Sequence, residues 1–524
     1  MTSCKSTAPE NATAPEGARV GRRTWFGLAS LLLPVFLVSM DVSVLFLAMP
    51  RLSESLNPSA AEQLWILDVY GFLLAGLLIT MGNLGDRWGR RRLMLWGATL
   101  FAAASVLAAF APTPLALIGA RALMGVGGAT LLPASLALIG VMFPNPRQKA
   151  LAIGIWSAAF SFGAAVGPVI GGVLLHHFWW GSVFLINVPV LIVLLLTANA
   201  LIPEYRNPVR APFDLVGVAL SMVGIMTLVY SVKAMATHGF SAAVTITGAV
   251  GVLTLALFVR QQVRNPHPLL ALDLFRNRTF TVAIVGTVGA MATFGATTYL
   301  TGLYVQSVLG FDVLAAAFLG LPMAVVVAYF SMDAPRIERV LGERWTFVTS
   351  LLAMALGNAV LLALGPHGPV AVYIAATVIV GAGAGVMFTF VSAVALGAAP
   401  TERAGQATGI SEMSFELGTA FGLALFGALA SAVFAARTHV HETLGQAMAN
   451  AKELGGDAGA AAAELARTGW ADGIHAVASV STLLLVAIAP GGHRGRRRSR
   501  DAPHPGLTGR PPGNLRCSRL VENI

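Results

Sequence analysis

Five charged residues lie inside long apolar stretches of this sequence, where charge is rare. Four are carboxylates and one is a guanidinium: Asp41, Asp68, Glu412, Glu416 and Arg121. A charged side chain that faces lipid at a helix centre costs at least ~2.5 kcal/mol. We therefore expect these side chains to face an aqueous cavity or one another. A cavity of this composition would be acidic and would attract cations.

Glu412 and Glu416 are spaced i, i+4, which places them on one face of a helix with Cβ atoms roughly 5–6 Å apart. Two carboxylates this close in a low dielectric cannot both ionise freely, and they titrate as a coupled pair. Such a pair can hold a proton or a cation, but not both comfortably, which is the minimal chemistry of proton/cation exchange. The alternative is a structural role, with a carboxylate tied to a neighbouring hydroxyl such as Ser411, Ser414 or Thr419.

The other three charges are more ambiguous. Asp41 and Asp68 lie in the outer halves of the first two apolar segments, where a carboxylate can be functional or merely interfacial. Arg121, in the fourth segment, could pair with a cavity carboxylate until a proton or substrate competes, or it could form a structural salt bridge. Both interpretations stay open.

The composition requires most of the chain to lie in a membrane. Of 524 residues, 56% are hydrophobic and only 11% are charged, and the mean hydropathy is +0.74. No water-soluble fold of this size hides so much apolar surface, so a soluble enzyme and a disordered chain are excluded. Fourteen apolar segments have the length of a membrane span. They cover about 25–49, 64–82, 93–111, 115–133, 150–174, 180–202, 214–232, 241–259, 280–306, 313–331, 345–364, 370–396, 407–435 and 473–490.

Loop charge predicts the orientation. Basic residues concentrate in alternate loops, among them Arg87, Arg147 and Arg336, whereas the loops between, apart from the long loop 436–472, carry only Arg51 and Lys233. The positive-inside rule places the basic loops and both termini in the cytoplasm. Residues 491–524 add a net charge of +6 beside the last segment, which favours anionic lipid over nucleic acid as their neighbour. The Ala-rich loop 436–472 predicts a helical hairpin on the outer surface.

One loop carries a recognisable signature. The segment GNLGDRWGRRR (82–92) resembles the cytoplasmic loop motif of the major facilitator superfamily. Its carboxylate can pair with basic groups at a helix end, and its glycines permit a tight turn, so the motif could latch one conformation. The matching residues are Gly82, Gly85, Asp86, Arg87, Gly89, Arg90 and Arg91.

A second motif points to exporters within that superfamily. The segment SFGAAVGPVIGG (161–172) resembles the antiporter signature. Its glycines provide a smooth face for close helix packing, and its proline bends the helix. The matching residues are Gly163, Gly167, Pro168, Gly171 and Gly172.

Over residues 25–490 the chain resembles the fourteen-span drug/proton antiporters, particularly the quaternary-ammonium (Qac-type) exporters. The resemblance implies an all-α polytopic membrane protein with the major facilitator fold. It implies export of lipophilic cations across a bacterial cytoplasmic membrane in exchange for protons, by a monomer without a cofactor. By position, Asp41, Asp68, Glu412 and Glu416 match acidic residues implicated in coupling or recognition, and Arg121 matches the arginine of the fourth span. The implied organisation is a cytoplasmic tail (1–24), a six-helix bundle (25–202), two inserted helices with linkers (203–264), a second six-helix bundle (265–490, with outer loop 436–472) and a basic, disordered cytoplasmic tail (491–524).

One position departs from the pattern. Some Qac-type relatives carry an acid after an LPMA string in span ten, where this chain has Val327, which puts dicationic substrates in doubt. Asp333 follows six residues later, on another helix face, and is expected to form a loop ion pair with Arg336.

Two other functions remain as alternatives. A dedicated exporter of one antibiotic or metabolite would use the same residues. A membrane sensor or enzyme is the alternative of a different class, but the spans contain no zinc-type His spacing, nucleotide loop or Ser/His/Asp set. Aromatic residues are candidates for cation–π contacts with a substrate: Trp65, Trp156, Phe388 and Phe415.

Overall fold

The computed structural model describes residues 21–206, 214–238, 241–266, 268–270, 272–439 and 444–489. The basic tail predicted for 491–524 lies outside these residues, as do the first twenty residues of the predicted N-terminal tail. The described chain is helical throughout and contains no strand. Its helices are α1 (Arg22–Leu56), α2 (Ala60–Trp88), α3 (Arg90–Ala109), α4 (Pro114–Met142), α5 (Pro146–His177), α6 (Ser182–Leu185), α7 (Asn187–Leu201), α8 (Leu215–His238), α9 (Ala242–Arg264), α10 (Arg278–Leu303), α11 (Val313–Val360), α12 (Val370–Ala398), α13 (Ala404–Thr438), α14 (Leu444–Leu454) and α15 (Gly456–Ile488).

Local sequence signals fix several helix boundaries. Ser59 and Glu62 form a reciprocal capping box at the start of α2. The side chain of Asn145 caps α5, and that of Asp312 caps α11. Gly89 joins α2 to α3 at a φ of 109°, a conformation that favours glycine.

Twelve helical segments among the described residues are long and apolar enough to cross a membrane, two fewer than the fourteen predicted. The predicted span 214–232 corresponds to α8, whose apolar stretch, Leu215–Ser231, is too short to count. The predicted spans 313–331 and 345–364 fall within one helical segment, Leu314–Ala363, of 50 residues.

That segment reverses direction at Gly342. This residue has φ 79° and ψ 161°, which is not helical. Two neighbouring glycines of α12 contact residues on opposite sides of Gly342: Gly385 packs against Val327, and Gly383 packs against Ser350. A straight helix would place Val327 and Ser350 about 35 Å apart. The two arms of α11 therefore lie side by side along α12.

Packing gathers the helices into two groups. Helices α1 to α7 share one apolar core, in which Leu31, Phe101 and Leu136 are fully buried. Residues of α10 to α13 and α15 form two further cores. Helices α8 and α9 pack on each other, and α8 also packs on both α2 and α13. The end of the array that carries the α2–α3 and α4–α5 turns is called the basic end here, after Arg87, Arg90 and Arg147.

The loop predicted as a hairpin, 436–472, contains the end of α13, helix α14 and the first half of α15. Glu464 of α15 accepts a hydrogen bond from His367 or shares a proton with it at 2.9 Å, and Arg437 pairs with Asp472 at 3.0 Å. These contacts fasten the hairpin to α13 and to the α11–α12 turn, at the end opposite to the basic end.

Candidate functional site

A buried ion pair joins α1 to α4. Arg121 donates from Nη1 to Oδ2 of Asp41 and from Nε to the Ile66 carbonyl at 3.3 Å. Both side chains are almost completely buried, with exposed fractions of 1% and 3%. Both alternatives for Arg121 required an ionic partner, and the structure identifies that partner as Asp41. Each of the two buried charges is therefore compensated by the other.

Tyr70 of α2 completes this group. The Arg121 guanidinium lies 4.6 Å from the centre of the Tyr70 ring, within range of a cation–π contact. The buried Tyr70 hydroxyl has no hydrogen-bond partner among the described residues. It lies within electrostatic range of Asp41, Arg121 and, from the other helix group, Glu416. No local pattern in the sequence selects Tyr70, because its place beside Arg121 comes from tertiary packing alone.

Glu412 and Glu416 lie one turn apart on α13. Glu412 is 2% exposed, and no described residue hydrogen-bonds to its Oε1; Glu416 is half-buried. Two of the three hydroxyls of the structural alternative bond elsewhere, since Ser414 donates to the Ser411 carbonyl and Thr419 to the Phe415 carbonyl. The third, Ser411 Oγ, has no hydrogen-bond partner among the described residues. A buried carboxylate oxygen without a donor is costly when ionised, so Glu412 is suited to binding a proton or a cation.

Asp68 occupies a different side of α2. It is half-buried and shares a helix face with Trp65 and Phe72. Phe72 packs into a small cluster with Ile225 of α8, so this face of α2 points toward the inserted helices. The structure therefore does not bring Asp68 to the Asp41–Arg121 pair.

An aromatic chain crosses between the two helix groups. On α5, Trp156 stacks near Phe160 at 6.3 Å, and Phe160 lies 6.4 Å from Phe388 of α12. Phe388 in turn packs edge-on against Phe294 at 6.0 Å and Phe415 at 5.1 Å. Three of the four aromatic residues selected from the sequence thus lie together. The fourth, Trp65, is 42% exposed and stacks on Tyr230 of α8.

The 82–92 motif closes the basic end by binding the other helix group. Asp86 accepts hydrogen bonds from Nε of Arg90 at 2.9 Å, from the Gly405 amide at 3.1 Å and from the Gln406 amide at 3.3 Å. Arg90 also donates to the carbonyls of Ala137, at 3.1 Å, and Thr401. The sequence predicted that Asp86 pairs with basic groups, but not that it caps the start of α13.

Two glycines make this closure possible. Gly82 and Gly405 face each other so closely that a Cβ on either one would collide with the carbonyl oxygen of the other. Gly405 and Gly409 are spaced i, i+4, a pattern that indicates close helix contact and that would have revealed this surface of α13. The remaining motif residues support the turn: the Arg87 carbonyl accepts from Arg206 at 2.9 Å, and two successive amides, including that of Arg91, donate to Glu204.

The 161–172 motif packs α5 against α1 around Asp41. A Cβ on Gly163 would meet Ser39 Oγ and lie 2.6 Å from the Phe36 carbonyl, and one on Gly167 would meet Ser43 Oγ. Gly171 packs in the same way against Val44, 2.9 Å from its Cγ1. Pro168 lies inside α5, and Gly172 is half-buried there. The motif thus sets the position of the helix that carries Asp41.

Substituting Gly163 by alanine is expected to separate α5 from α1 and to lower the melting temperature. Overpacking of this kind costs about 1–3 kcal/mol. Gly119→Ala is the matched control, because nothing lies within 4 Å of a Cβ there; it should leave the melting temperature unchanged or raise it slightly. Equal melting of both variants in detergent would contradict close packing at Gly163.

The structure shows where the two residues of the span-ten departure, Val327 and Asp333, lie. Val327 is buried against α12. Asp333 pairs with Arg336 at 3.0 Å, as expected, but the pair lies on the surface of α11 and not in a loop, because the helix continues to Gly342.

A helical array with buried charges in each of two helix groups, and with glycine contacts that close one end, is the architecture of a multi-pass membrane transporter. The chain belongs to the Major Facilitator Superfamily, whose family model matches residues 31–422. This confirms the resemblance drawn from the 82–92 motif, and it confirms a transporter rather than an enzyme.

Curated relatives cover nearly the whole chain. It is 39% identical to the multidrug efflux pump LfrA of Mycolicibacterium smegmatis, over 91% of this chain and 97% of the relative. It is 34% identical to the methyl viologen resistance protein SmvA of Salmonella typhimurium, over 89% and 97%. The multidrug resistance protein Stp of Mycobacterium tuberculosis is 30% identical over 78% and 76%.

Among solved structures, the human organic anion transporter MFSD10 (TETRAN) is similar in fold. The match has a TM-score of 0.57 at 16% identity and covers 90% of this chain and 100% of that one. At this identity the likeness concerns the fold alone.

Proposed function

We propose that this protein exports lipophilic cations, including quaternary-ammonium antiseptics, from the bacterial cytoplasm in exchange for protons. The observation that carries the proposal is Glu412, a buried carboxylate whose Oε1 lacks a hydrogen-bond donor among the described residues. It lies one turn from Glu416, which is half-buried on the same helix. The names of the relatives support drug export, since one is a multidrug efflux pump and another a methyl viologen resistance protein.

The proposed topology has fourteen crossings. The helical segment Leu314–Ala363 would be about 75 Å long if straight, far more than the roughly 30 Å of a bilayer core, and its reversal at Gly342 supports two crossings. Helix α8 provides the other additional crossing, since it has 24 residues in all. Two six-helix bundles, 25–202 and 265–490, then flank the inserted pair within 203–264. An even count and the positive-inside rule place the basic end and both termini in the cytoplasm.

In this orientation the structure is closed to the cytoplasm by the contacts of Asp86, Gly82 and Gly405. A proton from outside would compete with the bound cation at Glu412 and Glu416, release the cation outward, and leave to the cytoplasm after the bundles rock. The aromatic faces of Phe160, Phe388 and Phe415 would hold the lipophilic part of the cation. The energy comes from the proton gradient, with no cofactor, and a monomer suffices because both bundles belong to one chain.

Ethidium transport into energised inverted vesicles tests the proposal, because their cytoplasmic face points outward and export there moves ethidium into the lumen. Transport by the wild type should collapse with a protonophore, and Glu416→Gln should reduce it by about tenfold or more, because a carboxamide neither exchanges a proton nor attracts a cation. Glu453→Gln is the matched control, since this acid lies exposed on α14; it should retain efflux. A wild type that moves no lipophilic cation would refute the proposal in favour of an exporter of a single metabolite.

A further inference from the structure

An open cleft lies between α8 and α9 at the basic end, apart from the buried charges and from the closure at Asp86. Its volume is about 540 Å³. Its wall combines charged, amide and aliphatic side chains: Leu220, Leu257, Arg260, Gln261, Arg264 and Asn265. Nothing in the proposed export cycle uses this cleft.

Two arginines give the cleft its charge. Arg260 and Arg264 are spaced i, i+4 near the end of α9, so their guanidinium groups can converge on one ligand. Both are exposed. Neither makes an ion pair with any residue in the part of the chain that the structure describes, in contrast to Arg90, Arg121 and Arg336.

Asp214, the carboxylate that Gln261 of the cleft contacts, is already occupied. It accepts hydrogen bonds from the Gly217 amide at 2.8 Å, from Gln261 at 2.8 Å and from Gln262 at 2.7 Å. Burial alone would raise the pKa of Asp214, but these donors lower it, so the carboxylate stays charged and satisfied. The Asp214 oxygens therefore do not neutralise Arg260 and Arg264. The helix face that these two arginines share remains positively charged.

An aliphatic surface continues from the arginines toward the membrane interior. Leu257 precedes Arg260 by three residues on the same face of α9, and Leu220 stands opposite on α8. Beyond them, Leu253 and Val250 are 61% and 44% exposed. A soluble anion would use only the arginines, whereas a lipid would use the arginines and the aliphatic surface together.

We propose that this cleft binds an anionic glycerophospholipid of the inner leaflet, with its phosphate between Arg260 and Arg264 and an acyl chain along Leu257 and Leu220. Guanidinium groups bind phosphate through paired hydrogen bonds, and the cytoplasmic leaflet supplies anionic headgroups at this depth. The choice of leaflet rests on the orientation proposed above; the binding chemistry does not depend on export.

The test uses the full chain in phosphatidylcholine vesicles with a trace of spin-labelled phosphatidylglycerol or spin-labelled phosphatidylcholine. The protein-bound fraction of each label gives its relative affinity. The wild type should prefer phosphatidylglycerol. Arg260→Gln/Arg264→Gln should lose about 25-fold of that preference, because each basic residue near an anionic lipid contributes about fivefold. Arg147→Gln, an exposed arginine at the same end in the first turn of α5, should lose none.

Two further arms make the result decisive. Arg260→Lys/Arg264→Lys keeps the charge and should keep most of the preference, which separates loss of binding from misfolding. Leu257→Ser should weaken phosphatidylglycerol binding without affecting that of inorganic phosphate. Full preference in the double glutamine variant would overturn the proposal, and so would complete displacement of the lipid by millimolar phosphate. Since no arm measures efflux, failure here is distinct from failure of the export proposal.

Discussion

Replacing Asp41 by asparagine is expected to abolish export and to destabilise the protein. The substitution removes the only carboxylate that contacts Arg121 in the described part of the chain. An unpaired guanidinium then stays 1% exposed between α1 and α4. Breaking a buried ion pair in this way costs about 3–5 kcal/mol. We expect a lower melting temperature in detergent and no ethidium transport into energised inverted vesicles.

A second variant separates the structural role of Asp41 from its role in transport. Asp41→Asn/Arg121→Gln removes both charges, so the desolvation penalty of the lone arginine disappears. We expect this variant to recover most of the melting temperature but none of the efflux. Recovery of efflux as well would mean that the pair only holds the helices together, and the role in coupling or recognition that the resemblance implies for Asp41 would then be withdrawn.

The buried charges could be found from sequence because charge is scarce in an apolar chain, but their partners could not. Asp41 and Arg121 are 80 residues apart, and nothing local indicates that they meet. The fold also places Asp41 and Asp68 in different surroundings, although both lie in the outer halves of apolar segments. Only the packing of α2 decides that Asp68 faces α8 while Tyr70 faces Arg121.

The helix count shows a similar limit. Hydropathy locates two apolar runs on either side of Arg336, and their lengths predict two separate spans. In the structure the intervening residues, including Pro335 and the charged residues near it, remain helical as far as Gly342. The pattern of apolar residues therefore predicts where the chain enters lipid, whereas backbone conformation at one glycine decides where the helix ends. Motif resemblance likewise identified Gly82 but not its partner Gly405.

Replacing Asp86 by asparagine is expected to open the basic end. The carboxylate accepts from Arg90 and from the amides of Gly405 and Gln406. An asparagine side chain has one oxygen in place of two, and its NH₂ group would face donors. Losing charge-assisted hydrogen bonds of this kind costs roughly 1.5–3 kcal/mol, which shifts a two-state equilibrium by about tenfold or more.

Spin labels on Trp88→Cys and Thr401→Cys would report this opening, since both positions are exposed on opposite sides of the closure. In the Asp86→Asn background we expect a longer-distance population to grow at the expense of the short one. Asp333→Asn is the matched control, because its carboxylate pairs only locally, with Arg336. An unchanged distance distribution in Asp86→Asn would show that the glycine contact closes this end without the carboxylate.

The same variant should impair export without altering the binding site itself. Asp86 follows Tyr70 on α2 by sixteen residues, about 24 Å along the helix axis. Its contacts stabilise one conformation, and a shift in population changes how often the site faces outward, not which groups line it. We therefore expect a lower maximal rate of ethidium efflux in Asp86→Asn, with the proton dependence of the remaining efflux unchanged. Glu416→Gln, in contrast, should alter that proton dependence, because the group it removes is proposed to carry the proton.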